Sequence, residues 1–157
     1  MTRAMFAILA ATLAALGPAT SAWATAPATG TGTFAPAGPP TTVSVRSADG
    51  NTIVEQIQTF IDTGVITGTE TDIITFVFHP DGTFNLRADV DFTGTVAGRS
   101  GTLAQRFEGT GDSTSFHGQL QTLSGTEGLA NLRAVATFTG STTTGTGTYT
   151  LDYHFDP

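Results

Sequence analysis

From residue 41 onward the chain alternates apolar and polar residues with a period of two, and no useful window has the 3.6-residue period of a helix. Residues 84–92 (FNLRADVDF) are the clearest case, because every second residue is apolar and the residues between are Asn, Arg or Asp. Residues 132–138 and 149–155 repeat the pattern. Such alternation is typical of strands with one face in a core and the other in water. The pattern predicts an all-β fold.

Eight strands are predicted, separated by turns rich in Gly, Asp and Thr. They span residues 42–46, 52–61, 65–78, 83–94, 101–109, 114–121, 131–139 and 145–155. Asp49-Gly50 and Asp81-Gly82 stand where tight reversals need a residue with positive φ. Strands of this number either stack as a sandwich or close as a barrel, and closure removes exposed strand edges. We therefore expect a single antiparallel eight-stranded β-barrel, with a sandwich as the alternative.

The N-terminus has the features of an export signal. Arg3 is followed by the short apolar run 5–16, and Ala22-Trp23-Ala24 is a small-x-small cleavage site. Residues 1–24 are therefore predicted to be a signal peptide, cleaved after Ala24, and the protein to be secreted. Residues 25–41, rich in Ala, Pro, Gly and Thr, are predicted to form a flexible linker, with residues 31–34 as an alternative first short strand. The barrel domain is expected over residues 42–157.

Charge and composition narrow the classes of partner. After cleavage the chain keeps five arginines, no lysine and thirteen carboxylates, a formal net charge of −8. Such an acidic protein is not expected to bind nucleic acid or an anionic membrane surface. The chain has no cysteine, which excludes disulfides, thiol chemistry and a lipid anchor on cysteine. Stability must come from packing and sheet hydrogen bonds, and no cofactor is expected.

The order of motifs in the last two-thirds of the chain resembles a bacterial family of unknown function. The motifs are FTGTVAGRSGTL (92–103), LSGTEGLANLRA (123–134) and GTGTYTLDYHF (145–155), with Gly125, Gly128 and Ala134 as a spaced block. The family is related to the allene oxide cyclase and dirigent barrels, and the resemblance covers roughly residues 52–157. It implies a calycin-like eight-stranded antiparallel barrel of allene oxide cyclase type. Ala134 departs from the glycine usual in plant relatives. Function is implied much less, because such barrels serve unrelated tasks.

Glu55 is the polar residue that most invites a catalytic role. If it shares the inward face with Ile53 and Ile57, burial would raise its pKa and make it a weak candidate general acid or base. If Val54, Gln56, Gln58 and Phe60 face inward instead, Glu55 lies near solvent. The resemblance assigns it no role, because it lies outside the matched motifs.

A ligand-binding face is predicted from inward aromatic residues and one glutamine. Gln105 lies between apolar inward residues and offers hydrogen bonds to a ligand oxygen, or to a neighbouring strand. The candidate ligand-binding residues are Gln105, Phe84, Phe92, Phe107, Tyr149 and Tyr153. Asp152 and Asp156 place carboxylates on either side of His154. These residues lie at an exposed C-terminus without a second histidine, so no metal site is predicted.

Three functions are compatible with these features. The first is a secreted barrel that binds a small apolar ligand in its interior. The second is a cofactor-independent isomerase or cyclase resembling allene oxide cyclase, in which the pocket constrains a reactive substrate and little acid–base machinery is needed. The third is a non-enzymatic interaction module or homo-oligomer. Whether the protein is an enzyme stays open at the level of sequence.

Overall fold

The computed structural model describes residues 26–157. Its strands are β1 (Ala28–Pro36), β2 (Thr41–Ala48), β3 (Asn51–Gly64), β4 (Ile66–Phe78), β5 (Phe84–Val96), β6 (Arg99–Gly111), β7 (Ser115–Gly125), β8 (Leu132–Ser141) and β9 (Gly147–Phe155). One 3₁₀ turn, Glu127–Leu129, joins β7 to β8. The predicted signal peptide, residues 1–24, lies outside the described residues. Within residues 26–157 no helix is long and apolar enough to cross a membrane.

Neighbouring strands pair antiparallel from β3 to β9, and β1 closes the ring. On one side β1 pairs with β9, from Ala28 opposite Tyr153 to Phe34 opposite Gly147. On the other side it pairs with the end of β3, from Gly32 opposite Gly64 to Pro36 opposite Phe60. β1 and β3–β9 therefore form a closed antiparallel barrel of eight strands, as predicted.

The eight strands of the ring differ from the eight predicted. Residues 28–36, expected within the flexible linker 25–41, form β1 and complete the barrel. The boundary of the barrel domain therefore lies before residue 42. β1 has glycine at positions 30 and 32 because larger residues do not fit there: a Cβ on Gly32 would overlap the hydroxyl of Tyr149, and one on Gly30 would lie 2.6 Å from Cβ of Val65.

β2 continues along the same edge of β3 but stands outside the ring. It pairs with residues 51–57 of β3, whereas β1 pairs with residues 60–64 of the same strand. Its side chains are almost all exposed, including Val43 and Val45, and among the described strands it pairs with β3 alone. The hairpin of β2 and β3 thus extends the wall of the barrel on one side.

The interior of the barrel, here called the lumen, is solid at one end. Phe92, Val96, Leu129 and Leu151 are completely buried there, and Leu129 on the 3₁₀ turn packs close to Gly101 and Gly125. Leu103, Leu132 and Phe155 belong to the same buried cluster. This end closes because large apolar side chains from successive strands fill it. The other end is different.

Candidate functional site

At its other end the lumen contains a cavity of about 410 Å³. Exposed residues on its lining, among them Pro40 and Thr142–Thr144, mark its mouth between the β1–β2 connection and the β8–β9 turn. Buried residues such as Ala88 and Leu120 line its depth. A cavity of this size falls within the range of small-molecule sites.

Phenylalanine rings form most of the cavity wall. Phe34 contacts Phe138 with ring centroids 5.4 Å apart and Phe60 at 6.1 Å. Phe138 in turn meets Phe107 edge to face at 5.8 Å. Phe76 and Phe84 continue the wall on β4 and β5, 5.6 Å apart. The ring contacts give the cavity an apolar aromatic surface.

Three carboxyl groups, here called the acidic cluster, lie in the lumen among these apolar side chains: Asp62 on β3 and Glu70 and Asp72 on β4. All three side chains are buried, with exposures of 2%, 7% and 7%. Glu70 and Asp72 line the cavity, and their register partners on β5 are the buried residues Phe92 and Val90. Asp62 lies behind the cavity wall, where β3 ends.

Burial controls the protonation of the acidic cluster. It raises the pKa of Asp62 to about 7. Burial first, and then the charge of Asp62, raise the pKa of Asp72 to about 8. The pKa of Glu70 is held well above its usual value, first by burial and then by the charges of Asp72 and Asp62. The cluster therefore keeps protons at neutral pH that an exposed carboxyl group would release.

Among the described residues, Oδ1 of Asp72 and Oδ1 of Asp62 are buried without a hydrogen-bond partner, and of these two residues Asp72 lines the cavity. Gln58 stands directly across the strand pair from Asp72, but its amide is already used. Its Nε2 donates to the carbonyl oxygen of Gly38 at 2.8 Å and to that of Thr59 at 2.9 Å. Gln58 therefore holds the segment at the mouth in place and leaves Asp72 unpartnered. A buried polar atom with no partner is costly unless something in the cavity binds it.

No basic side chain lines the cavity within residues 26–157. The arginines of this part of the chain are exposed or half-buried, and two of them pair with carboxylates outside the lumen: Arg106 with Asp89 at 3.1 Å and Arg133 with Asp156 at 2.8 Å. The acidic cluster consequently lacks the internal counter-charge that usually accompanies buried carboxylates.

Tyr149 separates the cavity from the turn between β3 and β4. Its hydroxyl accepts a hydrogen bond from the N–H of Ile66 at 2.9 Å and lies 3.0 Å from the carbonyl oxygen of Thr63 and 3.1 Å from that of Ile66. Burial raises the pKa of Tyr149 to about 12. Tyr149 is thus uncharged, and its hydroxyl joins β9 to the turn at the end of β3. The residue does not line the cavity.

The predicted ligand-binding residues separate into two groups. Phe84 and Phe107 line the cavity. Gln105, Phe92 and Tyr149 are buried in the lumen but do not line it, and Tyr153 is half-buried near the solid end. Gln105 donates to Oγ1 of Thr122 on the neighbouring strand at 3.3 Å, which was the structural alternative for this residue.

Glu55, the candidate catalytic residue, lies on the outer face of β3. Gln56 and Gln58 line the cavity, so alternation directs Glu55 outward, where it shares a shallow surface depression with Ile73 and Thr75. Of the two faces considered for β3, the one with Gln56, Gln58 and Phe60 is inward. The lumen therefore does not provide Glu55 with the apolar environment on which its candidacy depended.

The acidic cluster was missed because isoleucines stand on the outward face of β3, and because Glu70 and Asp72 interrupt the apolar inward face of β4. Ile57, Ile61 and Ile73 point outward and are 39–49% exposed, while carboxyl groups point inward. A two-residue turn at Asp81-Gly82 would place Asp72 beside Asp91 on the outer face, whereas the structure pairs Phe78 with Phe84 and so places Asp72 beside Val90 on the core face. The usable signal was on β4 itself, where Ile66 and Ile74 alternate in phase with Glu70 and Asp72 and are buried with them.

The carboxylates near the C-terminus are engaged with neighbours on the surface. Asp152 accepts a hydrogen bond from Thr29 at 2.6 Å, and Asp156 pairs with Arg133 and with His154. Within residues 26–157 no group of three or more His, Asp or Glu side chains is arranged to hold a metal ion, and this includes the acidic cluster.

Comparison with known proteins gives the fold a family. The family model DUF3224, described as "Protein of unknown function", matches residues 27–153. A crystal structure of a protein of unknown function from the same family, from Shewanella oneidensis MR-1, superposes with a TM-score of 0.70 at 15% identity, covering 84% of this chain and 99% of that chain. No curated protein matches the sequence. The chain therefore belongs to the DUF3224 family of proteins of unknown function, built here as a closed eight-stranded barrel.

Proposed function

We propose that this protein binds a small, largely apolar molecule in the cavity of its lumen. The observation that carries the proposal is the cavity itself: about 410 Å³ in volume, walled by phenylalanines and reached from solvent beside Thr142–Thr144. An aromatic cavity of this kind is emptied of poorly hydrogen-bonded water when an apolar ligand occupies it, which favours binding.

Two features of the wall suit it to a defined ligand. The contacts of Phe34 with Phe60, Phe116 and Phe138 fix the rings before a ligand arrives, so little side-chain entropy is lost on binding. Gln58 ties Gly38 to β3 and so preserves the opening at the β1–β2 connection.

Titration with the neutral fluorophore N-phenyl-1-naphthylamine tests the proposal. We expect saturable fluorescence enhancement with one site per chain. Ala88→Leu places three additional carbon atoms into the cavity from a fully buried position and should weaken binding at least tenfold. Ala104→Leu makes the same change on the outward face of β6, opposite Asp91, and should leave the affinity within twofold. A folded protein that gives no saturable signal, or equal affinities for the two variants, would refute a lumen site.

A second candidate is the cofactor-independent isomerase, in which the acidic cluster takes the place of Glu55. The favouring observation is that two carboxyl groups with raised pKa, Glu70 and Asp72, line an apolar cavity. An ionised carboxylate would remove a proton from the carbon next to a ketone, and a neighbouring protonated carboxyl group would donate a hydrogen bond to the enolate oxygen. Exchange of the α-protons of 2-tetralone in D₂O, followed by NMR, tests it. Exchange no faster than in buffer without the protein would exclude the isomerase function.

We also propose that the protein is exported and binds its ligand outside the cytoplasm. A secreted binding protein meets ligands outside the cytoplasm, and the absence of cysteine makes the barrel independent of the redox state there. We also propose that this barrel is related to the allene oxide cyclase and dirigent barrels, because of the sequence motifs at residues 92–103, 123–134 and 145–155.

A further inference from the structure

We infer that the ligand of this cavity carries a protonated amine, and that Asp72 and Glu70 receive it. The inference rests on the proposed binding function and names the chemical class of the ligand: a compact molecule with an aromatic or aliphatic body and one basic nitrogen. Nothing about the phenylalanine wall requires charge, so the choice of an amine depends on the acidic cluster.

Asp72 lines the cavity, and one of its carboxyl oxygens has no hydrogen-bond donor among the described residues. The residue is 7% exposed, and the unpartnered atom is Oδ1. The amide of Gln58, directly across the strand pair from Asp72, donates its hydrogens to two backbone carbonyl oxygens. An ammonium group supplies several donors at once and can satisfy the carboxylate oxygens of Asp72 and Glu70 together.

The charge around the site is uniformly acidic. The groups that face one another there are the three carboxyl groups of the acidic cluster, with the neutral hydroxyl of Tyr149 on β9 near Asp62 and Glu70. The inward neighbours on β5, Val90 and Phe92, are apolar, and no basic residue lines the cavity within the described part of the chain. A cationic ligand therefore supplies the counter-charge that the lumen lacks when the acidic cluster ionises, whereas a carboxylate or phosphate would oppose that ionisation.

The wall around the carboxyl groups also suits a cation. Phe60 and Phe76 line the same cavity, and aromatic rings attract cations as well as apolar groups. The overall negative charge of the protein adds a long-range attraction that brings cations toward the mouth. A metal ion fits less well, since the three carboxyl groups do not converge on one ion position.

Three probes of one shape test the inference: 1-naphthylmethylamine, 1-naphthalenemethanol and 1-naphthoate, which are cationic, neutral and anionic at pH 7.5. We expect the amine to bind at least tenfold more tightly than the alcohol, and the naphthoate to bind most weakly. In the double variant Glu70→Gln, Asp72→Asn the preference for the amine should fall to within twofold, while the alcohol still binds. Asp91→Asn removes a carboxylate from the exposed outer face of β5 and should preserve the preference.

The outcomes distinguish the inference of an amine ligand from the proposed binding function. If the alcohol and N-phenyl-1-naphthylamine bind but the amine gains nothing, the amine inference is overturned and the binding function stands. If no probe binds to folded protein, both fail. An amine preference that survives in the double variant, or that Asp91→Asn abolishes equally, also overturns the inference, because the charge recognised would then lie elsewhere.

A measurement on the unaltered protein keeps the test independent of the variants. Because the carboxyl groups hold protons at neutral pH, binding of an ammonium group should release protons. Calorimetry of 1-naphthylmethylamine in buffers of different ionisation enthalpy should detect this release, and affinity should rise between pH 6 and pH 8. Binding without proton exchange and with affinity constant over this range would contradict the inference.

Discussion

Gln58 and Asp72 are direct partners across β3 and β4, yet the amide of Gln58 turns away from the carboxyl group of Asp72 to bind two backbone carbonyl oxygens. This arrangement leaves an acid without a partner on the wall of an apolar cavity. A fold optimised for stability alone would place an apolar residue at position 72, because burying an unpaired carboxyl group is unfavourable. Positions of this kind are where binding or catalysis is commonly found.

The acidic cluster should make the protein less stable as pH rises. The pKa values of Asp62 and Asp72, about 7 and about 8, lie above the unfolded value of 3.8, so the folded state binds protons that the unfolded state has released. The stability from this difference is fully present below about pH 4 and is lost as pH rises through 7 to 8. The slope is about 1.4 kcal/mol per pH unit for each proton. Urea unfolding at pH 5, 7 and 9 should show this decline.

Asp72→Asn should remove much of the decline and stabilise the protein at pH 9, because the amide has no proton to lose. Asp91→Asn, an exposed carboxyl group on β5, is the matched control and should leave the pH profile unchanged. A wild-type protein equally stable at pH 5 and pH 9 would contradict the assignment of a buried, proton-holding cluster.

Tyr149→Phe should destabilise the closure of the barrel. The hydroxyl is the acceptor for the buried N–H of Ile66, and leaving such a donor unpaired costs about 1–3 kcal/mol. Tyr153→Phe, a half-buried tyrosine on the same strand, is the control, and a change within about 0.5 kcal/mol is expected there. Chemical denaturation measures both. Equal effects of the two substitutions would mean that the hydroxyl of Tyr149 has no special role.

Gly94→Ala should be poorly tolerated. A Cβ at this position would overlap the carbonyl oxygen of Thr67 and lie 2.7 Å from Cα of Gly68, both on the backbone of the adjacent strand. Overpacking of this kind costs about 1–3 kcal/mol or more. Gly38→Ala is the matched control, since a Cβ there would have no neighbour within 4 Å and the carbonyl that Gln58 binds is kept. Thermal unfolding compares them, and a Gly94→Ala protein as stable as Gly38→Ala would show that β4 and β5 are farther apart than described.

Export predicts a defined mature N-terminus. When the full chain is produced in a bacterial secretion host, the intact mass of the exported protein should correspond to a chain that begins at Thr25. Ala24→Arg should block cleavage, whereas Ala26→Arg, outside the small-x-small motif, should not. Recovery of the full-length chain in the cytoplasm alone would contradict the signal peptide.

The alternation of apolar and polar residues predicted the all-β fold, and the removal of strand edges together with the family resemblance favoured the barrel over a sandwich, but neither revealed the candidate site. In 84–92 every inward residue is apolar, so the pattern identifies the core face directly, and the structure confirms it. On β3 the outward face has isoleucines while Gln58 and Asp62 are buried inward, so the same pattern indicates the opposite orientation. Only the strand register resolves such a case, because register depends on the turn and not on the hydrophobicity of the strand itself.

The first strand was predicted only in part, because residues 31–34 were offered as a short strand within the linker and lie inside β1. Residues 28–36 have the composition of a linker, since close approach of Val65 and Tyr149 leaves room only for glycine at positions 30 and 32. Strand formation there depends on hydrogen bonding to β3 and β9 at once, a tertiary condition that local composition does not reveal.

The structure of the protein in complex with N-phenyl-1-naphthylamine tests the central claim most directly. We expect the naphthyl group inside the lumen, in contact with Phe107 and Phe138 and within reach of Asp72. A ligand bound only on the outer surface of the barrel, with the lumen unchanged, would contradict the claim.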